Sequence, residues 1–210
     1  MTKEKPILFS TEMVKAILDG RKTQTRRIMN IPLGYQLTGG GLNALVEIIS
    51  YPSGEKKYIM PKYCIGNVLW VRETWRYAGN WDVGGAWVVD FKDGTSWNCD
   101  RFSFERECKF SKFRNKDGWQ SPLYMPKEAA RIHLRVTGVR CESLREITPE
   151  DKIAEGFSGC ARAYPCQEKD ICDKKCFQKL WDSINGKKAG KSWKDNPLVF
   201  VYEFERIEKC

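Results

Sequence analysis

Four basic residues and two hydroxyls fall within the eight positions Gly20-Arg21-Lys22-Thr23-Gln24-Thr25-Arg26-Arg27. Arginines such as Arg21, Arg26 and Arg27 can hold phosphate with paired N–H groups, and threonine hydroxyls add neutral hydrogen bonds. The segment therefore points to a polyanion or a nucleotide, against the competing reading of a solvated basic strand end. A second group lies in Val68-Leu69-Trp70-Val71-Arg72-Glu73-Thr74-Trp75. Trp70 and Trp75 carry rings that can stack on a base, and Arg72 can bind phosphate or stack. The competing reading makes each tryptophan barrel core. A third group is Cys160, Cys166, Cys172 and Cys176. Only Cys172 and Cys176 have a spacing usual for zinc, so a structural zinc site competes here with a loop of reduced thiols. The only histidine, His133, sits between Arg131 and Arg135 with no second ligand nearby, which assigns it to a surface or a pocket wall.

These groups need elements to position them. Met13, Val14, Ile17 and Leu18 form one face of a helix, capped by Thr11 and ended at Gly20. Val68–Trp75 reads as one strand, with Trp70, Arg72 and Thr74 on one face and Leu69, Val71, Glu73 and Trp75 on the other. Ala86–Phe91 is a second strand. Arg131–Arg140 alternates, with Ile132, Leu134 and Val136 on its apolar face. Thr148 caps a helix whose first residue is Pro149 and whose first turn carries Glu150 and Asp151; it stops near Gly156. A further helix covers Phe177–Ile184, and Leu198–Phe204 is a strand apolar on both faces. Residues of about 30–60, 76–124 and 157–176 lack a clear period and read as loop insertions. Separated strands with few helices predict an α+β fold or a barrel.

Composition sets the outer limits. The chain has 210 residues, enough for a single domain with a core of its own. Lys and Arg number 36 against 27 Asp and Glu, giving a net charge of +9 that favours anionic partners. No apolar run approaches the roughly 20 residues of a membrane span. The odd count of nine cysteines, with no export signal, argues against a disulfide framework. The expectation is a cytoplasmic protein with no membrane partner.

The order of several blocks resembles ASCH-domain proteins, particularly those of bacteriophages and prophages. The blocks are Pro6–Ser10 with Gly20–Arg27, Leu69–Trp75, Met125–Ile132, Val136–Arg140, Ile147–Asp151, Leu180–Gly186 and Asn196-Pro197. The resemblance implies one domain over 1–210: a PUA-like β-barrel with flanking short helices and the three loop insertions. It implies a partner that is a nucleoside, a nucleotide or nucleic acid, with RNA favoured, and no required cofactor. One bacterial relative removes the acetyl group from N4-acetylcytidine. Its catalytic Lys and Thr fall on Lys22 and Thr25, and its catalytic Glu falls, by spacing, on Glu155. A threonine hydroxyl attacks only when a base takes its proton, and a lysine is such a base only when burial or a cationic neighbour lowers its proton affinity. Lys22 and Thr25 would point to opposite faces of a regular strand, so this mechanism requires a turn or bulge at Thr23-Gln24. An RNA- or DNA-binding module without turnover, a phage accessory protein and a ribonuclease are the competing functions.

Overall fold

The computed structural model describes residues 3–32, 35–40, 45–50, 53–80, 87–99, 118–158 and 169–208. They form two compact units, each assembled from separate stretches of chain. The first is Met1–Asp19, Gly66–Arg135 and Arg206–Cys210; the second is Gly20–Ile65 and Val136–Glu205.

In the first unit, β1 (Glu4–Leu8) runs parallel to β6 (Val68–Arg72), with Pro6 opposite Trp70 and Leu8 opposite Arg72. The other edge of β6 takes the first residues of β10 (His133–Ser143) antiparallel, with His133 opposite Trp70. Helix α1 (Thr11–Leu18) follows β1 and buries Val14, Ala16 and Ile17; of the expected face, Val14 and Ile17 are buried and Met13 and Leu18 half-buried. Its cap is Ser10, one residue before Thr11: the Ser10 hydroxyl accepts from the Met13 amide at 3.4 Å. The expected single strand 68–75 is two strands. β6 ends at Arg72, and Trp75 opens β7 (Trp75–Asn80), which pairs with β8 (Trp87–Phe91) and through it with β9 (Ser96–Cys99). Trp70, Trp75, Val89, Phe91, Met125, Ala129 and Ala130 make one buried cluster of this unit.

In the second unit, β2 (Gln24–Ile28) pairs antiparallel with β11 (Leu198–Ile207), Thr25 opposite Tyr202 and Arg27 opposite Phe200. On its other edge β11 neighbours β10. Helices α2 (Pro149–Ala154) and α3 (Lys169–Asn185) complete it. Leu144, Ile147, Phe177, Trp181, Trp193, Val199 and Val201 form a buried cluster in it, with Phe177 edge-on to both Phe157 and Trp193. Residues 30–60, expected as a loop, hold a three-stranded sheet: β3 (Tyr35–Gly40), β4 (Val46–Ser50) and β5 (Lys56–Ile59). Val46 and Ile48 alternate into the interior, which is what makes β4 a strand.

The class is therefore mixed α+β and mainly sheet, as expected. Among the described residues the strands lie in open orders and do not close into a barrel.

Candidate functional site

The site of interest lies within the second unit, where the start of β2 meets α2. Three local signals place it. Thr148 caps α2 by accepting the Asp151 amide at 3.1 Å, and Pro149 fills the first helical position. Glu155 is the C-cap, and Gly156 turns the chain away with φ +83°, a conformation that favours glycine. The Thr23 amide then donates to the Ala154 carbonyl at 2.8 Å, and Lys22 forms an isolated antiparallel bridge with Glu155. Residues far apart in sequence, 22 and 155, are thus paired through the backbone before any side chain is considered.

Lys22 is buried, at 2% exposure. Its ammonium donates to the Gln24 carbonyl at 2.9 Å, the Glu155 carbonyl at 2.7 Å and Glu155 Oε2 at 2.8 Å. These acceptors match the three N–H bonds of an ammonium. Burial pushes the proton affinity of Lys22 below that of an ordinary lysine. The Glu155 charge and hydrogen bond oppose that push, and the nearby Arg27 and Arg26 add to it.

Arg26, expected to grip phosphate, is committed internally. Its Nε and Nη2 donate to Glu142 Oε1 at 3.0 and 2.5 Å, Nη2 also to Asp151 Oδ2 at 2.7 Å, and Nη1 to Glu155 Oε1 at 3.2 Å. Gln24 shares this face of β2 and donates to the Asp151 carbonyl and to Oδ1, both at 2.9 Å. Arg140 reaches Glu142, Asp151 and Glu203. Burial opposes the Asp151 charge, but the Gln24 hydrogen bond and the Arg26 and Arg140 guanidiniums outweigh it and hold this carboxyl below the usual value. Lys22, Arg26 and Arg140 thereby face Glu142, Asp151 and Glu155, so the cations are matched by acids of the chain itself.

Thr25 is buried but, one residue on from Gln24, lies on the opposite face of β2 together with Arg27. β2 keeps a continuous register with β11 from Gln24 to Ile28, while Lys22 precedes it in the separate bridge with Glu155; Thr23-Gln24, where the mechanism requires a turn or bulge, joins the two. Tyr202 shares the Thr25 side. Its hydroxyl accepts the Lys62 amide at 3.1 Å, its ring meets Tyr63 edge-on at 5.0 Å, and burial pushes its phenol up to about 12. Burial likewise lowers the proton affinity of Arg27, against the influence of Tyr63, Glu155 and Tyr202. Arg21 donates to the Gly156 carbonyl at 3.3 Å.

The Trp70 to Trp75 group belongs to the first unit. Trp75 is fully buried in the core, so it offers no face for a base to stack on, and Trp70 is buried too. The Arg72 guanidinium lies 4.5 Å from the Trp70 ring centroid and donates to the Leu123 carbonyl at 3.2 Å. Glu73 is buried as well: both its oxygens accept from Arg131, at 2.9 and 2.7 Å, and Arg131 also donates to Asp93 Oδ2 at 2.6 Å and to Thr95. His133, expected on a polar face, is buried beside Trp70 in the sheet.

Cys160 and Cys166 lie outside the described residues, as does the side chain of Cys172; Cys176, on α3, is in no disulfide. No cluster of metal-ligating side chains occurs among the described residues, and no described helix is long and apolar enough to cross a membrane. The residues that sequence reasoning missed are Gln24, Arg140, Glu142 and the hub role of Asp151. Arg140 and Glu142, two apart on β10, show the strand period that puts them on one face. Comparison with protein-family models, curated proteins and solved structures gives no match for this chain.

Proposed function

We propose that the second unit recognises a modified nucleoside or nucleotide and hydrolyses an acyl group from its exocyclic nitrogen, as in N4-acetylcytidine. The observation that carries this reading is the buried Lys22–Glu155 pair at 2.8 Å, in which burial makes the lysine a readier proton donor and acceptor than an exposed one. The ordered sequence blocks resembling ASCH-domain proteins give it independent support. In the reaction an oxygen nucleophile attacks the amide carbon and gives up its proton, the C–N bond breaks, and the nitrogen leaves with a proton. Lys22 and Glu155 are the pair through which those protons pass. The nucleophile is the Thr25 hydroxyl, through an ester that water then cleaves, or water itself. The test is release of acetate from N4-acetylcytidine by the purified protein. Lys22→Ala should lower the rate about 100-fold or more, whereas Thr25→Ala should retain activity if water attacks. No release above buffer by the wild-type protein overturns the hydrolytic reading.

A second reading, binding without turnover, is favoured by a different observation: three acceptors already occupy the Lys22 N–H bonds. It predicts saturable retention of N4-acetylcytidine in equilibrium dialysis with the ligand recovered unchanged.

A further inference from the structure

We propose that Arg26 is a positioning residue: it holds one oxygen of Glu155 so that the other stays on the Lys22 ammonium. The proposal rests on the reading of Lys22 and Glu155 as the reacting pair. Glu155 sits at the end of a helix of only six residues, where its side chain has no helical neighbour beyond it. Its two oxygens are divided, Oε1 to Arg26 Nη1 at 3.2 Å and Oε2 to Lys22 Nζ at 2.8 Å. The direction of Nη1 is fixed from elsewhere. Glu142 of β10 takes Nε and Nη2, and Asp151 of the first turn of α2 takes Nη2 as well. The guanidinium is planar, so anchoring one edge aims the other. Its side chain is 1% exposed, which leaves it no path to a ligand phosphate.

The chain of support continues outward. Asp151 accepts from Gln24 and Arg140, and its carbonyl accepts the Glu155 amide at 2.8 Å, tying both ends of α2 to the same residue. An arginine that the sequence presents as a ligand contact thus acts on the site through its own acids.

Removing Arg26 alone leaves Glu142, Asp151 and Glu155 without their shared cation, and that protein can fail to fold. The decisive variant is therefore Arg26→Gln combined with Glu142→Gln, which removes one positive and one negative charge together. Two measurements are made on it, beside wild-type protein and Arg26→Lys. One needs no substrate: the titration midpoint of the Lys22 amine by NMR. The charged groups acting on Lys22 are Glu155, Arg27 and Arg26. The Glu155 bond and charge weigh more on Lys22 than the Arg26 charge, so a Glu155 carboxylate released from Lys22 should leave the midpoint lower than in wild-type protein, whereas a raised midpoint would mean that Arg26 acts through its charge alone and would overturn the positioning role. The other is acetate release, where kcat should fall about 100-fold with KM within about twofold, as expected for misplaced reacting groups. Arg26→Lys keeps the charge but lacks the fork, so kcat should stay depressed even where thermal stability is retained. A double variant with the wild-type Lys22 midpoint and wild-type kcat overturns the proposal and makes Arg26 a structural ion only. Wild-type protein without acetate release overturns the hydrolytic reading instead, and the Lys22 midpoint still decides the role of Arg26.

Discussion

Replacing Arg131 by methionine should damage the fold more than almost any other single change in the first unit, and acid should repair part of the damage. Arg131 is bonded to two carboxylates at once, and the side chains of Arg131, Glu73 and Asp93 are 8%, 4% and 5% exposed. Burial pushes the Glu73 carboxyl above its ordinary value, and the Arg131 hydrogen bonds and charge restrain it. Burial opposes the Asp93 charge too, but bonds from Thr95 and Arg131 hold that carboxyl below its ordinary value. Methionine preserves a large apolar contact with the Phe91 ring, over which the guanidinium lies at 4.0 Å. What it deletes is the compensating charge. Breaking a buried pair from one side costs about 3–5 kcal/mol, because an unpaired charge is left inside. For a chain of this size that corresponds to a fall of roughly 6–20 °C in Tm. Without Arg131 the Glu73 carboxyl binds its proton more tightly still in the folded state than in the unfolded state, while Asp93 keeps its Thr95 bonds. Stability of the variant should therefore rise as pH falls from 7 towards 5, by about 1.4 kcal/mol for each unit of upward shift that is relieved. Urea denaturation of both proteins at pH 7 and pH 5 measures this directly. A loss below about 1 kcal/mol at pH 7, or a loss identical at both pH values, would refute the claim that the carboxylates are charged and depend on Arg131.

Two further outcomes follow from the second unit. Gly186 has no room for a side chain: a Cβ there would lie 2.7 Å from the Asp182 carbonyl oxygen, which is backbone and cannot rotate away. Gly186→Ala should cost about 1–3 kcal/mol in chemical denaturation, and a neutral result would mean that the end of α3 opens freely. Asp151, held below its ordinary 3.8, stabilises the fold at pH values above that figure and loses its contribution as pH falls through the folded-state value. Asp151→Asn should therefore flatten the acid limb of the stability curve below about pH 4, a change that circular dichroism during acid titration will show or exclude.

Much of the element order is legible from local pattern, because helix caps and strand alternation act over a few residues. Thr148 and Pro149 open α2 as their chemistry dictates, and Val14 and Ile17 of α1 and Val199–Tyr202 of β11 are buried. The short strands are not legible in the same way. β5 and β9 have four residues each, too few for a period to emerge, and β3 carries Gly39 and Gly40 with a register shift beside them. Their existence depends on partners supplied by pairing rather than on their own composition. The break between β6 and β7 is hidden for the opposite reason. Leu69 to Trp75 alternates smoothly, while the buried Glu73, fixed by Arg131 some 58 positions away, lies between the two strands.

The site shows where local reading stops. Strand period places Gln24 and Arg26 together on one face of β2, whose register with β11 is continuous. What period cannot supply is the identity of the partner. Arg26 finds Glu142, Asp151 and Glu155 at separations of 116, 125 and 129 residues. A basic residue in a sequence carries the same charge whether an external phosphate or an internal carboxylate will meet it. The difference lies in which acids the backbone delivers, and here the delivery is made by a helix cap at Thr148, a glycine turn at Gly156 and a bridge between Lys22 and Glu155. A short run of arginines and lysines is consequently better evidence that some anion is close by than that the anion is foreign to the chain.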